Sequence, residues 1–194
     1  MPTLRVLPAS SEVVEPLRAS VRIGKDILGL LSTAMYTEPL SIVREYIQNA
    51  ADSIDVAYDS SILSSRKPGR IEIRTDVPGR SLTIRDNGVG IERQNAEDVL
   101  VAFGLSGKRG TNARGFRGIG RLGGLGFAQQ VVFRTRFVGE ALVSEIHWNC
   151  RALRAILLDA RERPDLADVV RRVVSARRFE DRNAPEHFFE VELQ

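Results

Sequence analysis

The stretch REYIQNAADS, residues 44–53, places three polar side chains on one face of an amphipathic helical pattern. At about 100° per residue, Glu45, Asn49 and Asp52 fall within roughly 60° of one another. The apolar side chains lie on the opposite side of the same helix: Val43, Ile47, Ala50 and Ile54. Asn and Asp are weak helix formers, because their side chains compete with the backbone for hydrogen bonds. The pattern therefore predicts a helix whose polar face is either solvated or functional.

The composition is that of a soluble globular protein with one core. The chain has 194 residues, of which 43% are hydrophobic, 27% charged and 6% aromatic. No apolar run approaches the roughly 20 residues of a membrane span, and residues 1–16 lack the apolar core of a secretory signal. Cys150 is the single cysteine, so an internal disulfide is excluded and we expect a cytoplasmic protein with no membrane partner.

The charge pattern disfavours direct nucleic-acid binding by this domain. The net charge is +3, and the 28 basic residues, only three of them lysines, are interleaved with acidic ones. The two histidines, His147 and His187, are isolated, so we interpret both as structural. The sequence shows no cluster with the spacing of metal ligands.

Periodicity predicts one mixed α/β domain over 21–194, preceded by an arm over 1–20. The helix of the opening stretch should start near Pro39, which suits a first helical turn, and end near Tyr58. Further helical patterns cover 23–31, 92–103, 119–129 and 151–178, the last with a break near Pro164. Alternating patterns predict strands, the first four as two hairpins, over 70–76, 81–86, 130–137, 140–148 and 187–193.

Nine glycines lie between residues 104 and 126, and each costs backbone entropy when it is ordered. The segment contains neither the GxxxxGK[ST] phosphate loop nor a Rossmann fingerprint after a first strand. It does precede the helical pattern at 119–129, whose N-terminal amides could bind an anion. Two interpretations stay open, a flexible surface loop and a backbone that closely approaches a phosphate chain.

Asp86 follows a predicted strand and begins the sequence DNGVG, residues 86–90. One interpretation is a turn without function, since Asp-Asn-Gly sequences are common in turns. The other is a carboxylate at the mouth of a pocket that accepts a hydrogen bond from a ligand donor, such as the exocyclic amine of adenine. Gly88 and Gly90 would then let the base lie against the backbone.

Three motifs together resemble the GHKL ATPases, which include DNA gyrase B, the ninety-kilodalton heat-shock chaperones, histidine kinases and MutL proteins. ExxxNAxD is present at 45–52, DxGxG at 86–90 and a glycine motif, GFRGIG, at 115–120. The resemblance runs from about Ile23 to the end of the chain. The resemblance is greatest to the heat-shock chaperones. The segment YTEPLSIVREYIQNAADSID of this chain resembles their corresponding helix, and SGKR resembles a segment of their lid.

The resemblance implies a Bergerat fold, a two-layer α/β sandwich with a mainly antiparallel sheet and helices on one face. It also implies that ATP or ADP binds with Mg²⁺. By resemblance Asn49 coordinates the metal, Glu45 orients or deprotonates the water that attacks the γ-phosphate, and Asp52 lies at the pocket edge. Asp86 would read the adenine amine, and the remaining nucleotide contacts would come from Gly88, Gly90, Ile91, Gly115, Phe116, Arg117, Gly118, Ile119 and Gly120. Residues 93–114 would be a lid, with Ser106 and Lys108 as phosphate contacts.

One departure from the family pattern concerns adenine. Related ATPases often open a late strand with Gly-Thr, whose hydroxyl joins the motif aspartate at the base. Here the comparable strand begins His187-Phe188-Phe189, without a hydroxyl. A water, or Thr135 on an earlier strand, could supply the second contact.

The resemblance implies an ATP hydrolase, slow as an isolated domain, whose closure drives conformational change or dimerisation. In the full-length protein it implies a homodimer and a protein client. Alternatives stay open, namely a nucleotide sensor with little turnover, histidine-kinase-like phosphotransfer, and a DNA-linked ATPase. Glu45 favours hydrolysis over phosphotransfer, because histidine kinases usually carry Asn at that position.

Overall fold

The computed structural model describes Lys25 and residues 38–101 and 120–194. The predicted arm at 1–20 and the predicted helix at 23–31, apart from Lys25, lie outside the described residues. The ammonium of Lys25 donates to the carbonyl oxygens of Ile156 and Asp159.

Helix α1, Pro39–Asp59, confirms the helix predicted from the opening stretch. It begins with Pro39, whose fixed φ suits the first turn and whose missing N–H would have no helical partner there. Its buried side chains are Ile42, Tyr46, Ala50, Asp52 and Ala57. Ser60 caps the end of the helix, and Ser61 then turns the chain with a positive φ of 58°.

Six strands form one antiparallel sheet within the described residues, in the order β1-β2-β6-β3-β4-β5. Their bounds are β1 Ile71–Asp76, β2 Ser81–Asp86, β3 Gln130–Arg136, β4 Leu142–Asn149, β5 Val174–Glu180 and β6 Phe188–Leu193. Both predicted hairpins and the predicted C-terminal strand are confirmed. The late strand β6 inserts between the hairpins, so the ends of β2, β6 and β3 are neighbours.

The predicted helix at 151–178 is wrong in its last part. The chain forms α3, Cys150–Leu158, breaks around Pro164, forms α4, Leu166–Val173, and then continues as β5. Both helices have side-chain N-caps, since Asn149 accepts from the amide of Ala152 and Asp165 from that of Asp168. Residues 174–180 are extended because they pair with β4, an interaction that local periodicity does not reveal.

Two other helical predictions are shortened. The pattern at 92–103 is a helix, α2, only over Ala96–Val101, and residues 102 and 103 lie outside the described part. The pattern at 119–129 is a 3₁₀ helix over Gly120–Gly126, where four glycines in seven residues disfavour a longer helix.

The core lies between the helices and one face of the sheet, which confirms the two-layer α/β fold. The sheet register puts Ile84, Val191, Phe133 and Ile146 in one row facing the helices. From the helical side the core receives Ile42, Tyr46, Leu100, Leu122, Leu125, Leu153, Val169 and Val173. None of the described helices combines the length and apolar character that a bilayer crossing needs.

The opposite face of the sheet carries a row of alternating charges. Arg134 on β3 lies 2.7 Å from a Glu145 oxygen, 2.9 Å from Glu190 and 2.8 Å from Glu192. Arg85 continues the row to β2 through Glu190, and Arg177 continues it to β5 through Glu145. Burial alone raises the pKa of Glu145, but hydrogen bonds from Arg177 and Arg134 bring it below its ordinary value. The row thus links five strands.

Candidate functional site

Asp86 ends strand β2 as a buried carboxylate, with 3% of its surface exposed. Its oxygen Oδ1 accepts from the amide of Gly88 at 2.9 Å, and it also hydrogen-bonds the Ser53 side chain of α1. Burial raises the pKa of Asp86 to about 7, although both hydrogen bonds act in the lowering direction. A buried acid with a raised pKa is typical of a functional site.

Close packing inside the protein explains the two glycines after Asp86, Gly88 and Gly90. A Cβ on Gly88 would stand 2.6 Å from the backbone carbonyl carbon of Ser53, so helix α1 fills that space. Gly90 has a φ of +73°, and a Cβ there would overlap the carbonyl oxygen of Arg136. Both glycines therefore serve the close packing of this loop. Their predicted contact with a base stays a prediction.

The polar stripe of α1 leads away from Asp86. Asn49 and Glu45 lie one and two turns before Ser53, about 6 and 12 Å along the axis at 1.5 Å per residue. Both are half-buried, and Asp52 is only 9% exposed. The solvated-face interpretation of this stripe is therefore wrong for Asp52. The helix instead aligns an amide and a carboxylate with the buried end of β2.

The end of the glycine-rich segment packs against the same helix. The amide of Gly124, in the 3₁₀ helix, donates to the hydroxyl of Tyr46 at 3.3 Å, and Tyr46 directly follows Glu45. A Cβ on Gly124 would lie 2.8 Å from that hydroxyl. Gly120 begins this 3₁₀ helix, next to α1. The other predicted residues of the segment lie outside the described part: Ser106, Lys108, Gly115, Phe116, Arg117, Gly118 and Ile119.

Thr135 is committed to a structural role. It is 1% exposed, accepts from the amide of Ile91 at 2.9 Å and donates its proton to the carbonyl oxygen of Phe188 at 3.0 Å. It lies two strands from Asp86, because Phe189 pairs with both residues. The hydroxyl therefore has no proton left to donate to a base, and the apolar Phe189 is the residue beside Asp86.

Two residues near Asp86, Ser53 and His187, were not predicted from the sequence to belong to the site. Ser53 could have been found, since it lies one turn after Asn49 on the same helix. His187 carries no local signal, yet it is 4% exposed and its Nδ1 lies 2.7 Å from the carbonyl oxygen of Gly88. The prediction that His187 is structural stays a prediction, and the contact that the structure gives it lies inside the protein.

The chain matches a known family of ATPases over most of its length. The model of the "Histidine kinase-, DNA gyrase B-, and HSP90-like ATPase" family matches residues 36–169, well over half of the chain. The chain belongs to this ATPase family. Its matched region contains α1, Asp86 and the glycine-rich segment, and membership implies ATP binding and hydrolysis in general terms.

Several curated relatives are bacterial chaperones named HtpG. The chain is 34% identical over 140 residues to "Chaperone protein HtpG" of Anaplasma marginale, which covers 66% of this chain and 22% of that protein. With the protein of the same name from Nitrosomonas eutropha it shares 29% identity over 174 residues, covering 80% of this chain and 27% of the relative. The chain thus spans about a quarter of the length of these relatives.

Proposed function

We propose that this domain binds Mg²⁺-ATP along helix α1 and hydrolyses it, with adenine at Asp86 and the phosphates near Asn49 and Glu45. The observation that carries the proposal is the alignment of one buried carboxylate with a polar helix stripe that ends beside glycine-rich backbone. A nucleoside triphosphate has matching chemistry, with a hydrogen-bond donor at its base and its charge at the other end.

At the adenine end, Asp86 accepts a hydrogen bond from the exocyclic amine. Its carboxylate is held by Gly88 and Ser53, so its direction is fixed before the nucleotide arrives. The ring of Phe189 stacks on Phe133 with centroids 6.0 Å apart and gives the site an apolar side. Asp52, Gly88, Gly90 and Ile91 are the further nucleotide contacts that we propose around this end.

At the phosphate end, the donor set of the chain suits Mg²⁺. The metal prefers hard oxygen ligands and usually combines one or two protein ligands with phosphate oxygens and waters. Asn49 offers such an oxygen, and the described residues contain no cluster of three or more acidic, His or Cys side chains that would form an all-protein cage. When bound, Mg²⁺ neutralises charge on the phosphates. Glu45, one turn earlier, holds the attacking water and takes its proton.

The proposed lid is now shorter than the predicted 93–114. Ala96 and Leu100 of α2 are fully buried in the core, so the first part of that stretch packs with the sheet. We therefore restrict the closing segment to residues 102–114, with Ser106 and Lys108 as phosphate contacts. The motif residues Gly115, Phe116, Arg117, Gly118, Ile119 and Gly120 would supply amides to the phosphates.

The downstream role that we propose is chaperone-like. The relatives are chaperones by name, and the chain matches about a quarter of each. Closure on ATP would drive a conformational change or dimerisation in a longer cytoplasmic protein that acts on a protein client. Neither histidine of the described residues is a good acceptor for phosphotransfer. His187 is buried against Gly88, and His147, on β4, is hydrogen-bonded to Gln130 on β3.

Calorimetric titration with ATP, with and without Mg²⁺, tests the proposal. We expect one site per chain, Mg²⁺-dependent affinity, and a loss of at least about tenfold in Asp86→Asn, which equals roughly 1.4 kcal/mol. His147→Asn, on the other face of the sheet, is the matched control and should bind as the parent does. Equal affinity of Asp86→Asn and the parent would remove Asp86 from the base site.

A further inference from the structure

The loop that follows Asp86 is held by the residue just before strand β6, through a contact between residues 99 positions apart. The imidazole Nδ1 of His187 lies 2.7 Å from the carbonyl oxygen of Gly88, and both residues are buried. A carbonyl oxygen can only accept, so Nδ1 carries the proton. His187 is therefore a hydrogen-bond donor to this loop.

The same glycine holds Asp86. The Gly88 amide donates to Asp86 Oδ1 at 2.9 Å, so the two ends of Gly88 point to His187 and to Asp86. Gly88 cannot shift toward α1, because the Ser53 backbone fills the space where a Cβ would stand. The imidazole and the helix thus fix Gly88 from two sides.

Neighbouring contacts leave His187 as the side chain that orients Gly88. Asn87 is tied in the other direction, since its oxygen accepts from the amide of Arg70 at 2.6 Å and its Nδ2 donates to the Pro68 carbonyl at 3.0 Å. At the far end of the loop, the amide of Ile91 is bound by Thr135. These contacts hold positions 87 and 91, and the amide of Val138 binds the Val89 carbonyl at 3.2 Å, whereas the carbonyl of Gly88 is held by the imidazole.

We infer that His187 is a positioning residue of the nucleotide site, which sets adenine affinity by holding Gly88 and through it Asp86. The inference rests on the proposed function, because it assigns a purpose to the orientation of Asp86. Without the imidazole proton, the Gly88 carbonyl would be buried without this partner, and the Gly88 backbone, which joins this carbonyl to the amide that Asp86 binds, would shift toward water. The Gly88 amide would then leave Asp86, and the carboxylate would lose the direction that suits the adenine amine.

Two variants of equal shape isolate the hydrogen bond. His187→Asn keeps an N–H donor close to the position of Nδ1, whereas His187→Leu has nearly the same shape as Asn and no donor. Calorimetry with Mg²⁺-ATP separates positioning from damage to the fold, because it reports affinity and the number of sites. We expect His187→Leu to raise Kd about tenfold with the site number unchanged, and His187→Asn to stay within about threefold of the parent.

Several results would overturn the inference while leaving the proposed function intact. They are a parent-like Kd in His187→Leu, equal losses in both variants, or fewer sites at unchanged Kd, which is the signature of partial unfolding. If His187→Leu does not fold, His187→Gln takes its place, since its amide lies one bond further from Gly88 and should also weaken binding. His147→Leu is the control and should match the parent. Absence of ATP binding in the parent would refute the proposed function itself and the inference with it.

Discussion

Ser53 of helix α1 and Gly88 of the loop after β2 are packed so closely that no side chain fits between them. A Cβ on Gly88 would overlap the Ser53 hydroxyl oxygen and stand 2.6 Å from the backbone carbonyl carbon of that residue. Ser53 also hydrogen-bonds Asp86. The contact joins the helix that carries Glu45 and Asn49 to the strand that carries Asp86, so it sets the distance between the two ends of the site.

Replacement of Gly88 by alanine should therefore damage both the fold and the site. We expect Gly88→Ala to lower the free energy of unfolding by about 3 kcal/mol, because backbone atoms of α1 must move to admit the methyl group. Gly139→Ala is a matched control, since Gly139 has a φ of +83° and a Cβ there would meet nothing within 4 Å. It should cost about 1 kcal/mol, from backbone strain alone. Chemical denaturation measures both, and equal costs would contradict the packing argument.

The stability of the protein without nucleotide should depend on pH through Asp86. Burial raises the pKa of Asp86 from 3.8 to about 7. Between these two pH values the folded state therefore keeps a proton that the unfolded state releases. The stabilising contribution of that proton is complete below the unfolded pKa and is lost as the pH rises through about 7.

Asp86→Asn removes this titration while keeping an oxygen that can accept from Gly88. We expect the variant to melt at least about 4 °C above the parent at about pH 8, with the gap closing toward about pH 4. Thermal unfolding at several pH values measures it. A constant gap across that range would mean that Asp86 does not titrate as proposed.

Arg134 should contribute to stability, because three carboxylates of the open sheet face depend on it. Arg134→Ala leaves Glu145, Glu190 and Glu192 without this partner. We expect a loss of about 2 kcal/mol near neutral pH, below the cost of a fully buried pair because the arginine is partly exposed.

The loss should shrink at low pH, where the carboxylates are protonated. Hydrogen bonds from Arg134 lower the pKa values of Glu145 and Glu192 against the effect of burial, so their stabilisation is present above the unfolded pKa and disappears as the pH falls through the folded one. Arg161→Ala is the control, since Arg161 is itself exposed and its ion pair with Asp159 should cost little to remove. A loss of equal size at all pH values would argue for packing instead of charge.

The shortened lid makes a prediction for amide exchange. The amide of Val99 donates to the Asn95 carbonyl at 2.8 Å, and Ala96 and Leu100 of the same helix are buried. The amides of α2 should therefore be protected from exchange without nucleotide. An ATP analogue should slow exchange in residues 102–114 and leave α2 unchanged. Slowing of both segments together would restore the longer lid, and no change in either would contradict closure.

The sequence predicted those parts of the fold that local patterns determine. Helix α1 and both hairpins followed from periodicity and turn residues. Strand β5 did not, because residues 174–178 continue a helical pattern and become extended only by pairing with β4. In the site, the motif at residues 86–90 predicts that Asp86 is functional. The contact of His187 with Gly88 could not be predicted from the sequence, since it depends on how β6 inserts between the hairpins.

The central claim is that α1 divides the work between binding and chemistry, and Glu45 and Asn49 test it together. Asn49→Ala should lose Mg²⁺-ATP affinity and turnover, because it removes a metal ligand. Glu45→Ala should keep Kd within about threefold of the parent while hydrolysis falls by about 10² or more, as expected for a positioned base. The decisive measurement is single-turnover hydrolysis with enzyme in excess over ATP, together with Kd for each variant. Parent-rate hydrolysis in Glu45→Ala would contradict the account and favour a nucleotide sensor.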